Sequence, residues 1–321
     1  MSEAELIRLL LSGASCNLLM GESRVNVSQI KFNGLVRTNP QFARKFFQNV
    51  SQVSNISVLK EQLSLSLGKI SEWNLFKNIS INVMESDLDP DAIDLIVDVE
   101  EKKYNLKLGT EIRRSEVALG GSGELYNLNG QGLNVKMGAN YGTMSSSPFY
   151  FITKSIISND LSTHLEAFCN VDRSSKTETE LFDCDRVSFG MRCVKSAQTL
   201  KHSIEFSTAW RHIYNFDEYV SINQRKLSGH HLTNCVSYTL MNDGRDDKIL
   251  PTTGELWKGK FELFGPIGKF SALKSEICLQ KASPILWNYS FISSLRIGHL
   301  VKFSDHFSYS NEQFHLGGPN S

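Results

Sequence analysis

The chain has 321 residues, 34 Lys and Arg against 34 Asp and Glu, and a hydrophobic content of 40%. The charge balance gives no indication of a nucleic-acid partner. Every apolar run is shorter than the roughly 20 residues that a membrane-spanning helix needs, which excludes a helical membrane protein. It does not exclude a β-barrel, because alternating strands have an average hydropathy like that of soluble proteins.

The six cysteines are scattered and have no Cys-x-x-Cys spacing. This pattern predicts free thiols in a reducing compartment, with no metal or redox site. Residues 1–24 match neither a secretory signal peptide nor an Arg-rich transit peptide. We therefore expect an N-terminal arm at 1–24 and a protein that stays inside the cell.

Residues 25–102 are predicted to form one small α+β domain. A first strand stops at the turn signal Asn33-Gly34, and Thr38-Asn39-Pro40 reads as a helix start. Apolar residues follow at helical spacing, at Phe42, Phe46, Phe47 and Val50. A second helix is expected from about Val58 to Ile70, and two alternating strands at Ile79–Val83 and Ile93–Val99. The order β-α-α-β-β predicts two helices packed on one face of a sheet.

From Tyr104 onward, eleven segments show the period-two alternation of strands. The first is Tyr104–Arg113. The third, Gly130–Gly142, has the length that a tilted strand needs to cross a bilayer. Its apolar positions are predicted to face lipid: Leu133, Val135, Met137, Ala139 and Tyr141. Its polar positions, Asn134, Lys136 and Asn140, are predicted to face the lumen of the barrel.

The connections between these strands also alternate in length. Those after even-numbered strands are predicted to be tight turns, for example at Asn129-Gly130 and Ala197-Gln198. Those after odd-numbered strands are longer, as at Ser174–Leu181 and Asn215–Gly229. Short turns at one end and long loops at the other are typical of membrane barrels.

Three segments carry a resemblance to one protein family. They are the glycine-rich stretch Gly120–Gly132, the motif Asp243–Gly254, and the terminal Phe314-His315-Leu316-Gly317-Gly318-Pro319. Together they resemble the barrel-assembly superfamily, also called the bacterial surface antigen family. Residues 25–102 resemble its polypeptide-transport-associated (POTRA) module, although another kind of small α+β domain remains open. The resemblance rests on Ile30–Thr38, Leu75–Ile79 and Val97–Glu101.

One such module and no signal peptide make the chain most similar to the mitochondrial branch of this superfamily. The resemblance implies an all-β, antiparallel transmembrane barrel with about eleven of sixteen strands present, preceded by the POTRA-like domain. It implies insertion and assembly of β-barrel proteins in the mitochondrial outer membrane, with the POTRA domain in the intermembrane space. The implied partners are β-barrel precursor polypeptides, other subunits of an assembly complex and the lipid bilayer. No enzyme activity, cofactor or metal is implied.

Family members insert other barrels through a seam formed by their first and last strands. Carried over to this chain, the client-strand seam comprises Leu106, Lys107, Leu108, Gly109 and Thr110. The motif residues expected to have structural roles are Asn33, Gly34, Asp243, Arg245, Asp246, Pro251, Gly254, Gly317, Gly318 and Pro319. Residues 103–321 are expected to end in the long loop after strand eleven, before the Arg-Gly-Phe motif of the family, as in a truncated product. A truncated interaction protein that only binds through its POTRA module, or a simple pore, remain as alternatives.

Two polar clusters contain residue types that can bind metal ions. Asp243–Asp247 has the carboxylates of a calcium loop, but Arg245 and Lys248 within it favour a structured turn. His230 and His231 are neighbours on a strand and should point to opposite faces, which disfavours a shared ion. The sequence shows no arrangement of residues that indicates catalysis.

Overall fold

The computed structural model describes residues 26–53, 55–86, 92–113, 116–143, 145–157, 161–175, 181–197, 199–220, 222–265, 271–285, 289–303 and 314. The chain divides into two compact units. We call the first the N-terminal unit; it comprises Met1–Asn105, Glu124–Val135 and Lys154–Leu161. The second, the sheet unit, comprises Leu106–Gly123, Lys136–Thr153 and Ser162–Ser321. The predicted arm at 1–24 lies outside the described residues.

The N-terminal unit contains the predicted β-α-α-β-β order. Its elements are β1 (Asn26–Asn33), α1 (Pro40–Lys45), a 3-10 turn (Val50–Gln52), α2 (Ile56–Trp73), β2 (Phe76–Glu85) and β3 (Ala92–Glu101). The strands form a sheet of order β1-β3-β2, in which β1 is parallel and β2 antiparallel to β3. The described elements of this unit therefore combine helices and strands in the predicted order.

The first helix is shorter than the spacing of its apolar residues predicted. Asn39 caps it, since its Oδ1 accepts from the Gln41 amide at 2.8 Å, and Pro40 occupies the first turn. After Lys45 the bonding tightens to i→i+3, with the Phe47 amide 3.0 Å from the Arg44 carbonyl. Phe46 and Phe47 thus lie beyond the helix, yet both are buried.

The second helix is capped at both ends by asparagine. Asn55 Oδ1 accepts from the Ser57 amide at 3.2 Å, and Asn74 ends the helix in the left-handed region at φ 53°. Between the caps, α2 buries its apolar stripe against the sheet. The buried core includes Phe42, Phe47, Leu59, Leu63, Ile70, Leu95, Val97 and Leu161.

Within the part of the chain that the structure describes, one sheet contains eleven strands, the number predicted from the alternation. They are β4 (Tyr104–Arg113), β5 (Glu116–Leu125), β6 (Asn134–Gly142), β7 (Ser145–Ile156), β8 (Thr163–Ser174), β9 (Asp183–Ala197), β10 (Leu200–Tyr214), β11 (Gly229–Asp243), β12 (Gly254–Phe264), β13 (Ala272–Pro284) and β14 (Ser290–Lys302). Neighbours in sequence are neighbours in one sheet, whose order runs from β14 to β4. A four-residue helix, α3 (Ile222–Arg225), lies between β10 and β11.

The registers sort the side chains of this sheet onto two chemically different faces. One row that crosses β8 to β14 reads Ala167, Met191, Phe206, Val236, Leu263, Leu273 and Val301. The adjacent row on the other face reads Glu166, Arg192, Glu205, Ser237, Glu262, Lys274 and Leu300. We call these the apolar face and the polar face.

Two details differ from the sequence-based predictions. The connection after β9 is short, but residues 126–133 form a folded loop where a tight turn was expected at Asn129-Gly130. The third barrel strand begins at Asn134, and Val135 near its start is 7% exposed. Val135 belongs to the N-terminal unit and does not lie on an outward face. Met137 and Tyr141, which are 40% and 60% exposed, behave as the prediction of an outward apolar face requires.

Candidate functional site

The candidate client-strand seam lies on β4, which is one end of the sheet order among the described strands. All five predicted seam residues, Leu106 to Thr110, are exposed, and Leu108 has 90% of its surface accessible. A strand at the end of a sheet presents a row of N–H and C=O groups that another strand can pair with. The geometry of β4 therefore suits recognition by strand addition.

A shallow groove of about 350 Å³ lies beside these residues. It is lined by Lys107, Leu108, Gly109 and Thr110 on β4, and by Gly120, Gly121 and Asn140 on the next two strands. The glycines keep it open: a Cβ on Gly121 would meet Leu108 at 3.0 Å, and one on Gly120 would meet Asn140 at 3.3 Å. The glycine-rich stretch thus leaves β4 with few side chains packed against it.

The Asp243–Gly254 motif forms a self-contained turn. Arg245 donates to both oxygens of Asp243, at 2.8 and 3.0 Å, and to Gln280 Oε1 on β13 at 2.7 Å. Gly254 has a φ of +104°, and the carbonyl of buried Pro251 accepts from the Ser290 hydroxyl at 3.3 Å. These contacts tie the motif to itself and to the neighbouring strands.

The carboxylates of Asp246 and Asp247 already accept hydrogen bonds from groups within this turn. The Thr252 hydroxyl and the amides of Thr253 and Thr252 lower the pKa of Asp246 to about 2. Asp247 accepts from the amides of Ile249 and Leu250 at 2.6 and 2.9 Å, which also lowers its pKa. These carboxylate oxygens accept hydrogen bonds from backbone amides and so hold the segment in a turn. Across the described residues there is no group of three or more His, Cys, Asp or Glu side chains that could hold a metal ion.

The two adjacent histidines point to opposite faces, as predicted. His230 stacks on His212 of the neighbouring strand, with ring centroids 4.1 Å apart. His231 Nε2 lies 2.8 Å from the Leu227 carbonyl. Their separate surroundings explain why they do not form one site.

The turn after β1 is fixed by β3. Gly34 has a φ of +84°, and a Cβ there would overlap the backbone of Val99. Asn33 donates to Asp98 at 2.9 Å. Glu101 then accepts from three successive amides, those of Val36, Arg37 and Thr38, at 3.2, 2.9 and 2.8 Å.

The segment that follows is bonded to the 126–133 loop within the N-terminal unit. The Asn39 amide donates to the Gly130 carbonyl at 3.0 Å, and Asn127 Nδ2 donates to Thr38 Oγ1 at 2.7 Å. Asn134 Nδ2 donates to the Trp73 carbonyl at 3.1 Å. The sequence did not predict these hydrogen bonds, because nothing local in residues 126–133 distinguishes a folded loop from an Asn-Gly turn.

The terminal motif is described only at Phe314; Gly317, Gly318 and Pro319 lie outside the described residues. The Phe314 ring lies where a Cβ of Gly298 would be, and Lys274 Nζ is 4.7 Å from the ring centroid. Gly298 and Lys274 are on the polar face of β14 and β13. The Phe314 side chain therefore lies against that face.

The two faces of the sheet differ in polarity as expected for membrane-spanning β-strands. On β10 the apolar face runs from Leu200 to Trp210, about 34 Å along the strand, or about 26 Å if it is tilted by about 40°. That matches the apolar band of about 25 Å in outer-membrane barrels. The next row beyond Trp210 is polar: Arg173, Asp185, His212 and His230.

The polar face is held together by charge pairs. Arg192 lies between Glu166 and Glu205, at 3.2 and 2.7 Å.

No helix among the described residues is long and apolar enough to cross a membrane. The described antiparallel sheet, with eleven strands, one apolar face and one polar face, defines a transmembrane β-strand protein of the outer-membrane type.

Comparison with known proteins gives the family. The Omp85 superfamily domain matches residues 127–321, and the chain belongs to this superfamily. The chain is 27% identical over 312 residues to the sorting and assembly machinery component 50 homolog of Bos taurus. A SAM50-like protein of Schizosaccharomyces pombe is 27% identical over 315 residues. Both alignments cover 92% of this chain, but the chain spans only 64% and 66% of those relatives.

Solved structures show the same fold at low sequence identity. BamA from Haemophilus ducreyi, lacking POTRA domains 1–3, matches with a TM-score of 0.66 at 11% identity. The match covers 93% of this chain and 59% of that one. CdiB from Acinetobacter baumannii matches with a TM-score of 0.57, also at 11% identity. It covers 94% of this chain and 56% of CdiB.

Proposed function

We propose that this chain acts, as part of an outer-membrane assembly factor, in the insertion of β-barrel proteins into the mitochondrial outer membrane. Membership of the Omp85 superfamily and similarity to sorting and assembly machinery components support a role in β-barrel assembly. The function is non-enzymatic. Its partners are β-barrel precursor polypeptides, other subunits of the assembly complex and the bilayer.

The observation that carries the mechanism is the exposed β4 edge beside the glycine-lined groove. A precursor strand would pair its backbone groups with those of β4 and so satisfy them before entering lipid, where each unsatisfied group costs several kcal/mol. The groove leaves room for the side chains of the incoming strand. Leu106, Lys107, Leu108, Gly109 and Thr110 are the residues proposed to contact it.

We further propose that residues 25–102 act as a POTRA domain in the intermembrane space. The β-α-α-β-β order and the three-stranded sheet with β1 and β2 at its edges support this assignment. The starts of β4, β6, β8, β10, β12 and β14 lie at one end of the antiparallel sheet, and we propose that this end of the sheet faces the intermembrane space.

The test places a photoreactive amino acid at Gly109 in the full-length protein that carries this chain, followed by import of a radiolabelled β-barrel precursor into mitochondria. The matched control position is Gly259, a glycine on β12 that is paired on both sides. Crosslinking at Gly109 and not at Gly259 is expected. The absence of crosslinks at Gly109 would contradict the proposal and would instead favour a protein that binds precursors through residues 25–102 without inserting them.

A further inference from the structure

Two adjacent rows on the apolar face change from hydrophobic to charged at one end of β12, β13 and β14. The inner row is Trp257, Leu279 and Leu295, and the registers place these three side by side. One step toward the strand ends, the next row is Glu255, Lys281 and Ser293. An acid, a base and a hydroxyl thus lie directly beyond an indole and two leucines.

These six residues line a groove of about 460 Å³. Lys281 Nζ is 2.8 Å from Glu255 Oε1, while their side chains remain 63% and 64% exposed. Lys281 has three donors, and this contact with Glu255 uses one of them. The ion pair therefore retains capacity for a second partner that carries both charges.

The position of the groove identifies the partner as a lipid. The apolar face contacts the acyl chains of the bilayer, and Trp257 is the type of residue that marks the level of the head groups. A phospholipid has the same order of groups, a charged head above an apolar chain. A further strand paired with β14 would leave this face open, so the groove does not depend on the end of the sheet.

The charges select the class of head group. An anionic head group would meet Glu255, whereas a zwitterion satisfies both members of the pair. Adjacent strands are about 4.8 Å apart, a spacing comparable with that between the phosphorus and nitrogen of an ethanolamine head group. A primary ammonium can donate hydrogen bonds to a carboxylate, and the quaternary ammonium of choline cannot.

We propose that this groove binds a phospholipid with a primary-amine zwitterionic head group. Its phosphate accepts from Lys281 Nζ and Ser293 Oγ, and its ammonium donates to Glu255. The first segment of an acyl chain lies along Trp257, Leu279 and Leu295. Charge-assisted hydrogen bonds of this kind make a tenfold preference over phosphatidylcholine reasonable.

The first experiment needs no variant. Native mass spectrometry of the detergent-purified protein would measure binding of dioleoyl-phosphatidylethanolamine, its N-methyl and N,N-dimethyl forms, and phosphatidylcholine. Affinity should fall as N–H groups are replaced, to about one tenth for phosphatidylcholine. Equal binding across the series, or stronger binding of phosphatidylglycerol, would overturn the proposal.

Variants of the groove residues then test whether the lipid binds at this groove. Glu255→Gln should remove the difference between the ethanolamine and choline lipids, and Lys281→Gln should weaken both about tenfold. The control is Glu276→Gln, which removes the acid of the Glu276–Arg296 pair on the opposite face of the same strands. It should leave the series unchanged. A preference that persists in Glu255→Gln, or is lost in the control, would show that the lipid binds elsewhere.

Discussion

Asn127 is 4% exposed and has a φ of 50°, a left-handed conformation that asparagine tolerates better than most residues. Its Nδ2 donates to Thr38 Oγ1 at 2.7 Å and its Oδ1 accepts from the Gly132 amide at 2.7 Å. One side chain thus satisfies groups on two distant segments of the N-terminal unit. The sequence gives no local signal for this role, because Asn127 resembles the other turn residues around it.

Replacing Asn127 with alanine should loosen the 126–133 loop. Buried partners would lose their bonds, at a cost of about 2 kcal/mol. Hydrogen exchange of the detergent-solubilised protein should show faster exchange of the amides of Asn39 and Gly132. The control is Asn129→Ala. The native Asn129 side chain accepts from the same loop but is exposed, so its removal should have a smaller effect. Equal exchange in wild type and Asn127→Ala would contradict the role assigned to Asn127.

Glu101 is a second residue whose role only the structure reveals. Burial raises its pKa, but the hydroxyl and amide of Thr38 and the amides of Arg37 and Val36 outweigh this, so the pKa lies below its ordinary 4.5. A depressed pKa means that the folded state favours the carboxylate. Its contribution to stability is therefore full above pH 4.5 and is lost as the pH falls below that value.

The stability difference between wild type and Glu101→Gln should therefore depend on pH. At pH 7 the variant should open more readily around Val36–Thr38, because the amide is a weaker acceptor than the carboxylate. As the pH falls well below 4.5, wild type and variant should converge. The measurement is opening free energy from hydrogen exchange, corrected for intrinsic rates. A difference that stays constant from pH 7 to pH 3 would contradict the assigned bonds.

At the scale of elements, period-two alternation predicted all eleven strands of the sheet and approximate positions for most. The pattern works because each strand keeps one apolar and one polar face. It failed near strand ends, where long-range contacts decide. Val135 alternates correctly but is buried in the N-terminal unit. The helical period failed in the same way at Phe46 and Phe47, which have helical spacing although α1 ends at Lys45.

The same alternation predicts which positions on β6 tolerate charge. Met137→Lys should block membrane integration, since a lysine on the lipid face costs about 2–4 kcal/mol at mid-bilayer. Asn140→Lys on the polar face is the matched control and should integrate normally. Resistance to carbonate extraction measures both. Equal integration of the two variants would mean that β6 does not face lipid at Met137.

The N-terminal unit gives a prediction about the proposed boundary at residue 102. Residues 25–102 expressed alone should be soluble, monomeric and cooperatively folded. They should also be less stable than in the intact chain, because Leu161, 6% exposed in the shared core, is then absent. Urea unfolding followed by the fluorescence of Trp73 measures this. A molten or aggregated product would argue against this boundary.

At the scale of the whole molecule, membership of the Omp85 superfamily and the fold agree with the resemblance found in the sequence. The seam itself remains a proposal. The sequence alone could place Leu106–Thr110 on a strand, but not the groove beside it, which depends on glycines of β5 lying next to Leu108 and Asn140. The terminal motif was recognisable from sequence, whereas the contact of Phe314 with Gly298 required the three-dimensional arrangement.

The central claim is that β4 pairs with an incoming precursor strand. The most direct measurement is a register scan, with photoreactive residues at Leu106, Leu108 and Thr110 and crosslink sites mapped along one β-barrel precursor. Strand pairing predicts that each step of two residues on β4 moves the crosslinked site by two residues in a constant direction. Crosslinks absent from all three positions, or scattered without register, would contradict the account.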